Sequence, residues 1–262
     1  MNTPPKIRVQ GLWKHFGATV ALQDVNLDIE ENAFVTLVGA SGCGKSTLLK
    51  MVAGLLEPTD GRLHLWRKPV AQLDESGKKM AFVFQSPTLM PWASVQTNVR
   101  LPLDLAGVPR AEADARVTEA LALVGLAKFA NALPRALSGG MQMRVSIARG
   151  LVTQPDLLLM DEPFGALDEI TRHKLDADLL DLWRKKKLTV IFVTHSIHEA
   201  VFLSSRVVMM AARPGRVVEE FRIDAPYPRT ADFMVSPEFS RYAKLLQDSL
   251  LRASVDTEET VA

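Results

Sequence analysis

The sequence predicts an α/β fold: a mainly parallel sheet with helices, preceded by antiparallel strands and carrying an inserted helical stretch. Three observations predict it. Phe34 to Val38, Leu157 to Met160 and Val190 to Val193 are continuous apolar runs, as in strands covered on both faces. A helical segment separates the second run from the third, and that strand–helix–strand order implies right-handed parallel crossovers. Near the N-terminus, Ile7 and Val9, then Val25, Leu27 and Ile29, alternate with polar residues, the period of half-buried antiparallel strands.

The remaining elements follow in order. After Val38 comes a glycine-rich turn, then a helix from Lys45 to Ala53 that stops at Gly54. Met80 to Phe84 reads as another strand. From Arg110, Ala113, Val117, Leu121 and Val124 share one helical face, and Gly125 is placed to end that helix. A further helix is expected from near Ser138 to about Val152. The helix before Val190 is expected to turn Ile170, Leu175, Leu179 and Leu182 inward. Ser236-Pro237-Glu238 has the composition of a helix start, with Phe239, Tyr242, Leu246 and Leu250 on one face over about 237–252. From about Ala253 the chain is expected to fray. Residues 1–220 are thus read as one catalytic domain with a helical subdomain at about 88–152, and 221–262 as an extension.

Composition bounds what such a fold can do. The 262 residues suffice for a sizeable core, and 47% apolar with 23% charged content is ordinary for a globular protein. With 31 basic and 30 acidic residues the net charge is +1, so no overall field favours nucleic acid or an anionic membrane. The basic run Arg184 to Lys187 is short and reads as the solvated end of a helix. The N-terminus lacks a signal-peptide core, and no stretch reaches the ~18–20 apolar residues of a spanning helix. A cytoplasmic location is therefore expected, with any membrane role supplied by a partner. The single cysteine, Cys43, fits a reducing compartment.

The chemistry is carried first by Gly39, Ala40, Ser41, Gly42, Cys43, Gly44, Lys45, Ser46 and Thr47, which satisfy the phosphate-loop pattern G-x-x-x-x-G-K-[ST] between a buried strand and a helix. Glycines let the backbone wrap a polyphosphate, whose charge meets N–H groups and the positive end of the helix. Lys45 is expected to reach the β- and γ-phosphates of a nucleotide such as ATP, and the Ser46 hydroxyl to ligate Mg²⁺. Cys43 reads as a small loop residue rather than a nucleophile. The run Leu157 to Met160 then delivers Asp161 and Glu162 to the carboxyl edge of the sheet. Asp161 suits the Mg²⁺ shell. Glu162 suits polarising the water that attacks the γ-phosphate, since a carboxylate accepts that proton at hydrogen-bond range. The two motifs together define a nucleotide triphosphatase.

A third motif points to a family. Leu137-Ser138-Gly139-Gly140-Met141-Gln142 resembles the signature of ATP-binding-cassette proteins, and it lies upstream of Asp161 as in that family. Physically it is a second anion site, a serine hydroxyl and glycine amides at a helix N-terminus. The resemblance runs from about Ile7 to Arg216. It implies a phosphate-loop nucleotide triphosphatase with a RecA-like core, an antiparallel β subdomain and an inserted helical subdomain. It further implies that Phe16 stacks on adenine, that Gln85 senses Mg²⁺ and links to a transmembrane partner, and that His195 contacts the γ-phosphate. Gly165-Ala166-Leu167-Asp168 matches the loop that crosses to a second subunit. Two copies are expected to pair head to tail, Ser138, Gly139 and Gly140 of one closing over ATP held by the other.

Single cassettes of this kind serve importers, with permease subunits and a periplasmic or extracellular substrate-binding protein as separate chains, at the cytoplasmic face of the plasma membrane. The stretches Ser86 to Val99 and Val207 to Val217 resemble the nitrate/sulfonate/taurine branch, although Met90 and Trp92 are equally readable as packing residues. Met141 stands where the signature more often has glutamine, and Ser196 and His198 where acidic residues are commoner. The alternative is a soluble cassette acting on ribosomes or DNA. One cassette, no heptad insertion and near-zero charge weigh against it.

Overall fold

The computed structural model describes residues 6–165 and 167–259, and the chain divides into two compact units, Met1–Lys78 with Lys187–Ala262, and Lys79–Lys186. The first unit begins with β1 (Ile7–Phe16), β2 (Thr19–Ile29), β3 (Phe34–Gly39), α1 (Lys45–Val52), β4 (Asp60–Leu65) and β5 (Lys68–Pro69). The second holds β6 (Met80–Val83), α2 (Val95–Leu105), α3 (Arg110–Leu123), α4 (Gly139–Leu151), β7 (Leu157–Asp161) and α5 (Glu169–Lys186). The chain then returns to the first unit through β8 (Thr189–Thr194), α6 (Ile197–Leu203), β9 (Arg206–Ala211), β10 (Arg216–Arg222), α7 (Ala231–Met234) and α8 (Pro237–Glu259).

In the first unit, the alternating segments form an antiparallel sheet of order β2-β1-β4-β5. Ile7 pairs with Ile29 and Val9 with Leu27, which puts their apolar side chains on the buried face while Arg8 and Asp28 stay exposed. The continuous apolar strands behave differently. Every residue of β3 and β8 is buried, and β3 lies parallel between β8 and β9, with β10 antiparallel on β9. α8 packs against α6 and β9 through Phe239, Tyr242 and Leu246, and the His198 ring lies 5.6 Å from that of Phe239. Leu250 is half-buried, Ser249 and Ala253 are buried, and α8 runs on to Glu259 instead of fraying at Ala253.

In the second unit, β6 and β7 pair in parallel, and all of β7 is buried. The helical stretch expected at about 88–152 lies here, together with both strands and α5. β6 ends one residue earlier than expected, leaving Phe84 in the following loop. α2 buries Val95, Val99 and Leu103, apolar residues at four-residue spacing. Its Ser94 caps it, and the buried Asn98 amide holds the preceding turn by bonds to Met90 N, Met90 O, Ala93 O and Ser94 O. Leu175, Leu179 and Leu182 of α5 face inward as expected, but Ile170 is 85% exposed. Five residues at 3.6 per turn place it about 140° around the helix from Leu175, off the buried stripe.

Candidate nucleotide-binding site

The glycine loop joins β3 to α1. A Cβ on Gly39 would lie 2.3 Å from Met210 O of β9 and 2.7 Å from Cys43 Sγ, so only glycine lets the loop fold this closely on the sheet. Gly44, at φ 92, turns the chain into α1 against Leu22. No side chain caps α1 and no acidic residue lies in its first turn. The positive end of the helix and its leading N–H groups are thereby left to an external anion. Lys45, only 5% exposed, donates from Nζ to Gly39 O at 2.8 Å and Ala40 O at 3.1 Å, with Cys43 Sγ at 3.7 Å. A buried ammonium needs such acceptors, and these hold it at the loop's own backbone. Burial pushes the Cys43 thiol up despite the neighbouring Lys45, which makes it a packing group rather than a nucleophile.

A residue outside the motif backs this loop. Gly215 sits where a Cβ would meet Cys43 O at 2.4 Å and Ala21 O at 2.6 Å, and it exchanges backbone bonds with Ala21 and Gln23. The only sequence signal for it is the Pro214-Gly215 turn.

His195 follows β8, and register pairs Val38 with Thr194. The glycine loop and His195 therefore leave neighbouring parallel strands at the same carboxyl edge, where ligands of α/β sheets are bound. His195 is exposed, while its neighbours Thr194 and Ser196 are fixed to each other by the Ser196 N to Thr194 Oγ1 bond of 2.9 Å. Phe16 closes β1 with its ring 52% exposed. Lys14 Nζ lies 5.2 Å from that ring's centroid and is anchored on Glu57 O at 2.7 Å.

The second unit gathers two further groups. Val83 pairs with Met160, so Gln85 and the Asp161–Glu162 pair also emerge at one carboxyl edge. Asp161 is buried at the end of β7; Glu162 is half-buried at φ 44, with its carbonyl accepting Gly165 N at 3.2 Å. That left-handed backbone costs a non-glycine residue about 1–2 kcal/mol. Gln85 is exposed in its loop. The loop is pinned by Arg149 of α4, which donates to Pro87 O, Thr88 O and Thr88 Oγ1, each at 2.9 Å. Sequence reading missed Arg149, since nothing local links it to residues 87 and 88.

Ser138 is the N-cap of α4, its Oγ accepting Met141 N at 3.3 Å, and Gln142 Nε2 donates to Pro134 O and Leu137 O. Ser138 and Gly139 are exposed. A Cβ on Gly140 would lie 2.8 Å from Thr171 Cγ2, which ties this helix start to α5. Asp168 caps α5, accepting Thr171 N at 3.0 Å, and that bond holds its carboxyl below the usual range. Trp92 is 78% exposed, which rules out a core-packing role within this unit.

The donor types present on each unit are ones that a magnesium nucleotide takes. Among the described residues no three His, Cys, Asp or Glu side chains cluster as a metal cage. A hard cation that keeps phosphate and water ligands needs only one or two protein oxygens; the first unit offers the Ser46 hydroxyl, and the second the Gln85 amide oxygen and the Asp161 carboxylate.

Comparison with known proteins agrees with this chemistry. The family described as ABC transporter matches residues 22–165. The chain is 50% identical to the taurine import ATP-binding protein of Rhizobium johnstonii over 231 residues, 86% of this chain and 87% of that one. It is 42% identical to the nitrate import ATP-binding protein of Synechocystis over 252 residues, 94% and 93% of the two chains. Among solved structures, a dimeric ATP-binding cassette in a post-hydrolysis state with ADP and phosphate superposes with a TM-score of 0.73 at 34% identity, covering 84% of this chain and all of the other.

Proposed function

The chain belongs to the ABC transporter family, and from that premise we propose that it is the ATP-hydrolysing subunit of an importer for a small anion or zwitterion of the sulfonate, taurine or nitrate type. The observation that carries the reading is the start of α1: a glycine turn, no side-chain cap, no acid in the first turn, and a buried Lys45.

In this reading the amides of residues 39–47 and Lys45 bind the β- and γ-phosphates, Lys45 exchanging loop carbonyls for phosphate oxygens, and Phe16 stacks on the adenine. Ser46, Gln85 and Asp161 hold Mg²⁺, which when bound neutralises charge on the phosphates. Glu162 accepts the proton of the attacking water, and His195 donates to the γ-phosphate. Ser138, Gly139 and Gly140 of a second copy cap the nucleotide, with Asp168 in the loop that crosses to that copy. The dimeric state of the solved relative supports this pairing. Closure of the dimer around ATP and reopening after hydrolysis drive the permease through the Gln85 loop, which Arg149 couples to the helix starting at Ser138. Residues 1–220 form the motor and 221–262 an extension. No helix among the described residues is long and apolar enough to cross a membrane; the subunit works peripherally, at the cytoplasmic face of the membrane, on separate permease chains. A substrate-binding protein outside delivers the cargo.

The test is to capture the chain with its permease and binding protein, then screen taurine, other sulfonates and nitrate by thermal shift on the binding protein. A stabilising anion supports the reading. A chain that captures no membrane protein and sediments with ribosomes overturns it.

A further inference from the structure

α6 links the loop that carries His195 to β9, and with seven residues it is too short to hold itself together. Its last helical bond is made by the C-cap, and the three carbonyls beyond it, which lack helical partners, each receive a side-chain donor. Ala200 O accepts Ser204 N at 3.2 Å. Val201 O and Phe202 O accept Arg229 Nη1 at 2.8 and 3.0 Å, and Leu203 O accepts the Tyr227 hydroxyl at 3.2 Å. Arg229 also reaches Ser204 O at 2.8 Å, Ile223 O at 3.0 Å and Ala225 O at 3.1 Å. The guanidinium is 4% exposed, 4.2 Å from the centroid of the Tyr227 ring and 5.4 Å from that of Phe233. A cation at a helix C-terminus also meets the negative end of the dipole. The segment after β10 is thereby bolted to the end of α6.

The other end of α6 is equally constrained. Ser196 Oγ accepts Glu199 N at 3.3 Å, and buried Thr194 Oγ1 accepts Ser196 N and donates to the buried Glu199 carboxylate. His195 lies between these two pinned residues with its ring exposed.

We propose that Arg229 is a positioning residue for ATP hydrolysis, fixing the C-terminal end of α6 and, through that helix, the placement of His195. The inference rests on His195 acting at the γ-phosphate. Seven residues span about 10 Å, so a helix released at its C-terminal end pulls on the Thr194, Ser196 and Glu199 bonds that flank His195, and a misplacement of about 1 Å in a catalytic group can cost ~100-fold. Lysine is no substitute. Its ammonium has three donors and no planar fork, against five carbonyls held here.

The experiment compares full-length Arg229→Lys, Tyr227→Phe and His195→Ala with wild type, measuring ATP bound per chain, KM and kcat. Arg229→Lys is expected to lower kcat by about tenfold with KM within about twofold and ATP stoichiometry unchanged. Tyr227→Phe, which removes one donor only, is expected to lower kcat in the same direction by less, and it carries the test if Arg229→Lys does not fold. A merely structural role would lower the bound ATP in step with activity, and that result overturns the proposal. Wild-type kcat in Arg229→Lys, or in Tyr227→Phe where Arg229→Lys does not fold, overturns it too. If His195→Ala turns over normally, the reading of His195 itself fails, and the positioning role falls with it.

Discussion

Val38 and Thr194 are register partners on adjacent parallel strands, so the glycine loop after one and His195 after the other rise from the sheet side by side. The same relationship, Val83 with Met160, brings Gln85 to the edge that carries Asp161 and Glu162. Parallel pairing is what turns residues far apart in sequence into neighbours in a site.

The buried Lys45 is the first place to test this arrangement. Lys45→Ala is expected to abolish phosphate release and weaken ATP binding by roughly tenfold or more, from the about 1.5–3 kcal/mol of a hydrogen bond to a charged group. Equilibrium dialysis and a phosphate assay check both. Retained turnover would remove the loop from the mechanism.

Glu162, proposed above to accept the proton of the attacking water, has a left-handed backbone. Glu162→Gln should bind ATP, lose hydrolysis by about 10²–10⁴-fold, and accumulate as a dimer in light scattering with Mg·ATP. A variant that remains monomeric counts against closure over the nucleotide. Glu162→Gly should be equally inactive yet melt at or above wild type, because relief of about 1 kcal/mol of strain is worth ~2–4 °C in a chain this long.

Ser138 stands exposed at the start of α4. If the serine serves its partner's nucleotide as proposed, Ser138→Arg is expected to block turnover while ATP binding to a single chain stays within about twofold. Mixed dimers with Lys45→Ala locate the defect: some restored turnover shows one intact composite site, and none places Ser138 in its own chain's site.

Asp168 gives a pH signature. Its carboxyl is depressed by the Thr171 N–H it accepts, so the cap's stabilisation is present above the ordinary carboxylate pKa of about 4. It is lost as pH falls through the still lower folded value. The melting difference between wild type and Asp168→Ala should therefore be constant near neutrality and shrink below about pH 4. A difference that persists unchanged at pH 2 would show that the carboxylate is not the cap.

What the sequence determined by itself is local chemistry. The glycine loop, the apolar run ending in Asp161 and Glu162, and Ser138 ahead of two glycines are contiguous, and contiguous residues carry their own spacing. The buried strands were legible for the same reason, since every residue of β3, β7 and β8 is apolar or a small polar group except the terminal Asp161. The inward faces of α3 and most of α5 followed from helical period.

Only the tertiary structure decided which distant groups support these motifs. Gly215 lies under Cys43, Arg149 pins the loop after Gln85, and Arg229 gathers carbonyls from α6 and the segment after β10. Ile170 is the contrary case, because the helical period alone sets it off the stripe of Leu175, Leu179 and Leu182. The physical reason is common to Gly215, Arg149 and Arg229. A backbone carbonyl or a patch of surface has no sequence signature, so a side chain that serves one is recognised only when the fold brings them within about 3 Å.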